Sequence, residues 1–144
     1  MSALTFTFDT AQMDVSAIHS FLSQTYWSPG IPLEVVRRAM AGSLCVGVLQ
    51  DGQQIAFARL VTDRVTFAYL ADVYVLPEHR GRGLSRSMLQ RLFDHPDVQG
   101  LRRIMLATRD AHGLYAQFGF APLAAPDRFM ERHRPQVYQT GAPS

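Results

Sequence analysis

The chain contains no lysine; all 14 of its basic residues are arginine. No amine side chain is therefore available for Schiff-base chemistry. There is a single cysteine, Cys45, which excludes an intramolecular disulfide. One thiol and a few scattered histidines also make no structural zinc cluster, so no metal is expected. The sequence has no apolar run of about 18 residues and no signal-peptide pattern, and a cytoplasmic protein without membrane association is the expectation. Charge of one sign is scarce as well: 14 basic residues stand against 12 acidic ones, for a net +2. That bias is too weak to argue for a nucleic-acid partner. Internal repeats, linkers and low-complexity segments are missing. What remains is a chain of 144 residues, 47% hydrophobic and 18% charged. This composition suits one globular domain over residues 1–144 with a single core.

The hydrophobic pattern predicts the elements in order. Leu4 to Phe8 alternates as a short strand. Asp14 is placed to cap a helix with Val15, Ile18, Phe21 and Leu22 on one face. Pro32 and Gly42 bracket a second helix. Strands follow at Ser43–Gln50, Gln54–Thr62 and Thr66–Leu76, joined by turns at Asp51-Gly52 and Asp63-Arg64. A further helix runs from Leu84 to His95-Pro96, then a strand at Arg103–Thr108. Asp110 is placed to cap a short helix ending at Gly119, and weak strands are expected within Phe129–Tyr138. Thr140 to Ser144 reads as a frayed end. Meander strands followed by crossover helices predict an α/β (α+β) fold, a central mixed sheet flanked by helices on both faces. The two strands joined by the Leu84 helix should run parallel.

The chemistry concentrates between Asp72 and Phe93. A strand ends at Leu76-Pro77, the loop Arg80-Gly81-Arg82-Gly83 follows, and Leu84, Met88, Leu89, Leu92 and Phe93 recur at helical spacing. A strand, a glycine loop and a helix start together aim backbone N–H groups and the positive end of the helix dipole at one point, which suits a phosphate. Glycines allow close approach, and arginines add charge-assisted hydrogen bonds. The loop lacks the Gly-Lys-Ser/Thr end of a nucleoside-triphosphate site. It also lacks dinucleotide spacing, because Arg86 stands where the third glycine belongs.

Arg80-Gly81-Arg82-Gly83-Leu84-Ser85 resembles the Gln/Arg-x-x-Gly-x-Gly/Ala motif of the GNAT N-acetyltransferase superfamily, with Ser85 in place of Gly or Ala. Leu114-Tyr115-Ala116-Gln117-Phe118-Gly119-Phe120 resembles that superfamily's second recurring segment, and the two lie in the family's order. The resemblance covers Val73 to Phe120. It implies acetyl-CoA as cosubstrate, with the pyrophosphate held by Arg80, Gly81, Arg82, Gly83, Leu84 and Ser85 with Arg86 in support. Backbone groups of Val73, Tyr74 and Val75 would meet the pantetheine arm. Tyr115 would protonate the departing thiolate. Family members often carry Asn where this chain has Thr108.

Other candidates come from the chemistry an amine needs. An ammonium must lose a proton before it attacks, and Asp72, sharing a face with Leu70 and Tyr74 by alternation, is the candidate base. His112 is the alternative. Tyr26 and Trp27, with Phe129 and Met130, are candidates for the acceptor wall. Cys45 sits in Leu44-Cys45-Val46-Gly47-Val48, a buried strand without a local base, and is not read as a nucleophile. The expected activity is transfer of acetyl to a small-molecule or peptide amine. A silent coenzyme A-binding module, an enzyme of another acyl donor or hydroxyl acceptor, and a homodimer stay open.

Overall fold

The computed structural model of the protein describes residues 3–139; the expected frayed end at 140–144 lies outside them. Among the described residues five strands and four α-helices follow in the order β1 (Leu4–Thr7), α1 (Val15–Leu22), α2 (Leu33–Ala41), β2 (Ser43–Gln50), β3 (Gln53–Thr62), β4 (Phe67–Val75), α3 (Leu84–Phe93), β5 (Arg103–Met105) and α4 (His112–Ala116). The strands form one sheet in the order β1-β2-β3-β4-β5. The first four are antiparallel neighbours, and β4 and β5 run parallel. A mixed sheet with helices on both faces is the architecture expected from the element pattern.

Local chemistry explains most element ends. The Asp14 side chain accepts the Ala17 N–H at the start of α1. Asp51 and Gly52 both take positive φ, 51° and 83°, as a two-residue hairpin with the strands' twist requires. Around Asp63 the turn is longer than the Asp63-Arg64 pair suggests. The Asp63 carboxylate accepts the N–H groups of Val65, Thr66 and Phe67, and β4 starts at Phe67. Those bonds, the Thr66 hydroxyl first, hold its carboxyl well below the usual carboxylate range.

Two layers of core lie against the sheet. One joins Leu44, Val46, Leu60, Ala68 and Leu70 to Leu84, Met88, Leu89 and Leu92 of α3. The other joins Cys45, Phe57 and Tyr74 to Ile18 and Leu22 of α1 and Val36 and Met40 of α2. Among the described residues no helix is long and apolar enough to cross a membrane.

Three expectations fail for identifiable reasons. First, β5 covers only Arg103–Met105, not Arg103–Thr108, because its ladder to β4 ends at the Tyr69–Met105 pair. Second, Phe129–Tyr138 forms no strand. It crosses the surface in turns, and Tyr138 packs on the α1–α2 side of the core. The Tyr138 carbonyl lies 3.2 Å from where a Cβ at Gly30 would stand, and Gly30 has φ +76°. Third, Asp110 does not cap α4. The Thr108 hydroxyl instead accepts the Ala111 N–H at 3.0 Å.

One buried polar side chain ties α1 to the sheet. Gln54 is 2% exposed; its Oε1 accepts the Asp14 N–H at 3.0 Å, and its Nε2 donates to the Ala56 carbonyl at 2.7 Å. Gln54→Leu leaves both backbone groups without that partner. Urea unfolding should show a loss of about 1–3 kcal/mol; an unchanged midpoint would mean that water replaces the amide.

Candidate active site

β4 and β5 share three residue pairs, Phe67–Arg103, Ala68–Ile104 and Tyr69–Met105, and then part. Beyond Tyr69 the edge of β4 has no strand beside it. The Leu76 N–H donates to Ile55 on β3, so by alternation the main-chain groups of Val73 and Val75 face the open side. A cavity of about 860 Å³ occupies the gap. Val73, Tyr74, Val75 and Leu76 form its floor. Residues of the Arg80–Ser85 loop close one end, Ala111, Leu114 and Tyr115 of the α4 region form one wall, and α1 with Tyr26 and Trp27 forms the other.

The glycine loop leads into α3 as the sequence suggests. Gly81 and Gly83 have φ of 82° and 73°, and a Cβ on either would meet nothing within 4 Å. The glycines are thus required by conformation, while the space beside them stays open to a ligand. The first helical bond of α3 runs from Ser87 N–H to the Gly83 carbonyl. The N–H groups of Leu84, Ser85 and Arg86 are left without a helical acceptor. Arg80 Nε donates to the Val75 carbonyl at 2.9 Å, which fixes its guanidinium where the open edge meets the loop. Arg82 is turned away: its Nη2 lies 2.6 Å from His79 Nδ1 and 3.3 Å from Gln50 Oε1. Arg82 and Arg86 are exposed and do not line the cavity.

Tyr115 is 8% exposed, lines the cavity, and meets Phe120 edge-on at 6.1 Å. Burial, and after it the neighbouring Tyr26, push its phenol above the ordinary tyrosine value. Burial likewise pushes the Cys45 thiol up to about 12. Cys45 lies inside the core away from the cavity, with no features of a nucleophile.

Asp72 occupies a different place from the one alternation gives it. Ala71 pairs with Arg59 and Tyr74 with Phe57, so Asp72 and Val73 stand opposite Ala58 alone, as a β-bulge. Asp72 takes φ +58°. The extra residue flips the parity of the strand: Leu70 packs on the α3 side and Tyr74 on the α1–α2 side. Asp72 Oδ2 accepts from Arg59 Nε at 2.8 Å, and Oδ1 accepts from Trp27 Nε1 at 3.0 Å. Its side chain is 9% exposed and does not line the cavity. A carboxylate with both oxygens engaged is poorly placed to collect a proton from a substrate.

The expected acceptor residues also divide. Tyr26 and Trp27 line the cavity. His112 is exposed outside it, Met130 is 97% exposed, and Phe129 lies under the Arg103 guanidinium, 5.0 Å away. Phe21 is a cavity residue that reads as core in the sequence; it stacks on Tyr74 at 4.0 Å between ring centres. Arg59, the partner of Asp72, carries a legible signal: an arginine in the apolar run of β3 needs a counter-charge. Among the described residues no three His, Cys, Asp or Glu side chains converge to hold a metal ion.

Comparison with known proteins agrees with this geometry. The acetyltransferase (GNAT) family model matches residues 12–120. A crystal structure from Xanthomonas campestris pv. campestris, of a protein provisionally assigned as a GNAT-family acetyltransferase, has a TM-score of 0.93 and 52% identity, covering 96% of this chain and 98% of that one. A Gibberella zeae protein, provisionally named an acetyltransferase, is 35% identical over 76% of this chain and 73% of its own length. A Clostridium acetobutylicum protein solved with acetyl-CoA, also assigned as an acetyltransferase, shares the fold at a TM-score of 0.65 and 21% identity, covering 92% of this chain and 96% of that one. The glycine loop at the start of α3, the parted strands and the extent of the family match together make this chain a member of the GNAT acetyltransferase family.

Proposed function

We propose that the protein transfers the acetyl group of acetyl-CoA directly to the nitrogen of a primary amine, on a small molecule or peptide, within its one domain. The observation that carries this reading is the meeting of three features in one cavity: the free N–H groups at the start of α3, the open edge of β4 and the buried phenol of Tyr115. The pyrophosphate of the donor suits the first, where Gly81 and Gly83 leave room and Arg80 supplies charge. The peptide-like pantetheine arm suits the second, pairing with the main chain of Val73 like an added strand. Ser85, at the helix start, adds a hydroxyl toward the phosphates.

The third feature serves the chemistry. The amine nitrogen attacks the thioester carbonyl carbon, the carbon–sulfur bond breaks, the sulfur takes the proton of Tyr115, and the proton that the nitrogen gives up as the amide forms returns to the Tyr115 phenolate through water. A thiolate released in a largely apolar cavity is costly, and a positioned acid removes that cost. No lining side chain is free to act as base. His79 Nδ1 faces the Arg82 guanidinium, which only donates, so the proton of a neutral His79 sits on its other nitrogen. The amine therefore sheds its ammonium proton to water before it attacks.

Tyr115→Phe keeps the ring and its packing but has no proton to give. It should fold and bind donor normally while kcat falls by roughly 10²–10⁴-fold. Full turnover in that variant, measured by thiol release with any working amine, would remove the acid role. Acetyl-CoA should also raise the melting temperature, and Gly83→Val should weaken that effect. A β-branched residue at φ +73° strains the loop by about 1–2 kcal/mol, near tenfold in affinity, and its side chain enters the phosphate space. Arg80→Ala should weaken it too, more at low salt than at high salt. Wild-type donor affinity in both variants would overturn the loop assignment.

The pH dependence follows in sign. Tyr115 is raised above the ordinary tyrosine value of about 10, and its acid form is present below that raised value. The acceptor is reactive only when neutral, a fraction that grows with pH. kcat/KM for the amine should climb from neutral pH with no alkaline fall below about pH 10. A bell with a falling limb near pH 8 would point to a different acid.

A further inference from the structure

The donor accounts for the floor and one end of the cavity. The remaining side is built by α1 and the segment after it, chiefly Ala17, Phe21, Gln24, Tyr26 and Trp27. Tyr26 and Trp27 are 55% and 42% exposed, although they meet edge-on at 5.1 Å. Two large rings left open on the wall of a cavity form an apolar surface for a ligand to cover. The charges on the lining are of one kind. Arg80 is cationic, His79 is the other basic group, and neither Asp nor Glu lines the cavity. Asp72, whose carboxylate meets Trp27, is already matched by Arg59. A polycationic acceptor would find no counter-charge here, and its second charge would be left unpaired on an apolar wall.

The wall is also held in place. Trp27 Nε1–H donates to Asp72, Asp72 accepts from Arg59, Arg59 Nη1 donates to Ser43 Oγ at 3.1 Å, and Ser43 Oγ donates to the Ala39 carbonyl of α2 at 2.7 Å. The chain of bonds runs from α2 through β2, β3 and β4 to the ring in the cavity. The member that meets the ring, Asp72, is the left-handed residue of the β4 bulge. A non-glycine residue persists in that conformation where its surroundings over-determine it, and such residues gather at functional sites. Here the bulge turns the carboxylate off the strand's alternation and onto Trp27.

Resting on the amine-acetylation reading above, we propose that the acceptor is a small primary amine with a flat apolar body and no second charge, bound against Trp27 and Tyr26, and that Asp72 is the positioning residue that fixes the Trp27 ring. Asp72 acts on acceptor binding and takes no proton in the reaction.

The test follows thiol release from acetyl-CoA with phenethylamine, spermidine, an aminoglycoside and a short peptide with an aromatic first residue. Phenethylamine should have the highest kcat/KM, about tenfold or more above spermidine. Trp27→Ala should raise the KM for phenethylamine by about tenfold, leaving donor KM as it was. Asp72→Gly keeps a residue that accepts positive φ and removes the carboxylate. It should raise acceptor KM in the same direction while the pH profile of kcat is retained. Trp27→Phe, which keeps a ring but cannot donate to Asp72, should raise acceptor KM by a smaller factor; it reads out the same bond if Asp72→Gly fails to fold. A preference for spermidine, the aminoglycoside or the peptide overturns the acceptor class. A shifted pH profile in Asp72→Gly with unchanged acceptor KM makes Asp72 a base and overturns the positioning role. Turnover with another amine but none with phenethylamine overturns this proposal alone; no turnover with any amine, or no donor binding, overturns the underlying reading as well.

Discussion

β4 and β5 are parallel, are joined by a helical crossover, and stay paired for only three residues. The separation that follows leaves this side of β4 without a strand beside it among the described residues, and of its main-chain groups the Val75 carbonyl is taken by Arg80. An open edge inside a sheet is ordinarily a hazard, since any extended chain can pair with it. Here α3 starts from a glycine loop at one end of the gap, α4 closes one side and α1 the other, so only a ligand that enters the cavity reaches the edge. A ligand with an extended amide-bearing arm and an anionic end meets two complementary partners at once. Each arises from a backbone left unsatisfied by the sheet or by the helix start.

The same arrangement sets the electrostatics of both substrates. The free N–H groups of α3 and the Arg80 guanidinium make the cavity positive at the end that grips phosphate. A positive surrounding without carboxylates disfavours an ammonium and so lowers the pKa of a bound amine. On the proposed reading, an amine acceptor would become the neutral nucleophile more readily inside the cavity than in water, without a dedicated base. Asp72 belongs to this balance through its own neutralisation. Paired to Arg59 and turned to the indole N–H, it adds no negative field that would hold the amine protonated.

Sequence patterns disclosed the features that depend on near neighbours along the chain. The Asp14 cap, the Asp51-Gly52 hairpin, the bounds of β2, the start of α3 and the glycine loop all appear as expected because the residues that cause them lie within a few positions. The features that escaped depend on pairing across the sheet. Alternation gives Asp72 the face of Leu70 and Tyr74, and one extra residue opposite Ala58 cancels that periodicity for the rest of the strand. β5 ends early because its partner turns away, which nothing in Leu106-Ala107-Thr108 reveals. Phe21 reads as core because it shares the apolar stripe of Ile18 and Leu22, yet it lies where α1 leaves the sheet and stacks on Tyr74 at the cavity wall. Asp110 has the chemistry of a cap, yet α4 starts without a side-chain cap, and the path of the loop brings the Thr108 hydroxyl to the Ala111 N–H instead.

The position of the Tyr115 hydroxyl rests on packing more than on its own helix. α4 spans five residues, His112–Ala116, too short to be stable by propensity alone. What holds it is a cluster of rings: Phe93 at the end of α3 meets Phe118 at 5.3 Å and Phe120 at 5.6 Å, and Phe120 in turn meets Tyr115. The helix whose start lines the cavity thus also carries, at its other end, the ring that anchors the segment bearing Tyr115. On the opposite wall Arg109 lies over the Tyr26 ring at 3.7 Å and links the loop before α4 to the loop after α1. Tyr115 is therefore held by aromatic packing, and the loop before its helix is tied to Tyr26 by a cation–ring contact. In the proposed reaction a leaving sulfur would need its acid within hydrogen-bond reach, and the place of the Tyr115 hydroxyl is set by α3 and its ring contacts more than by the single turn on which Tyr115 sits.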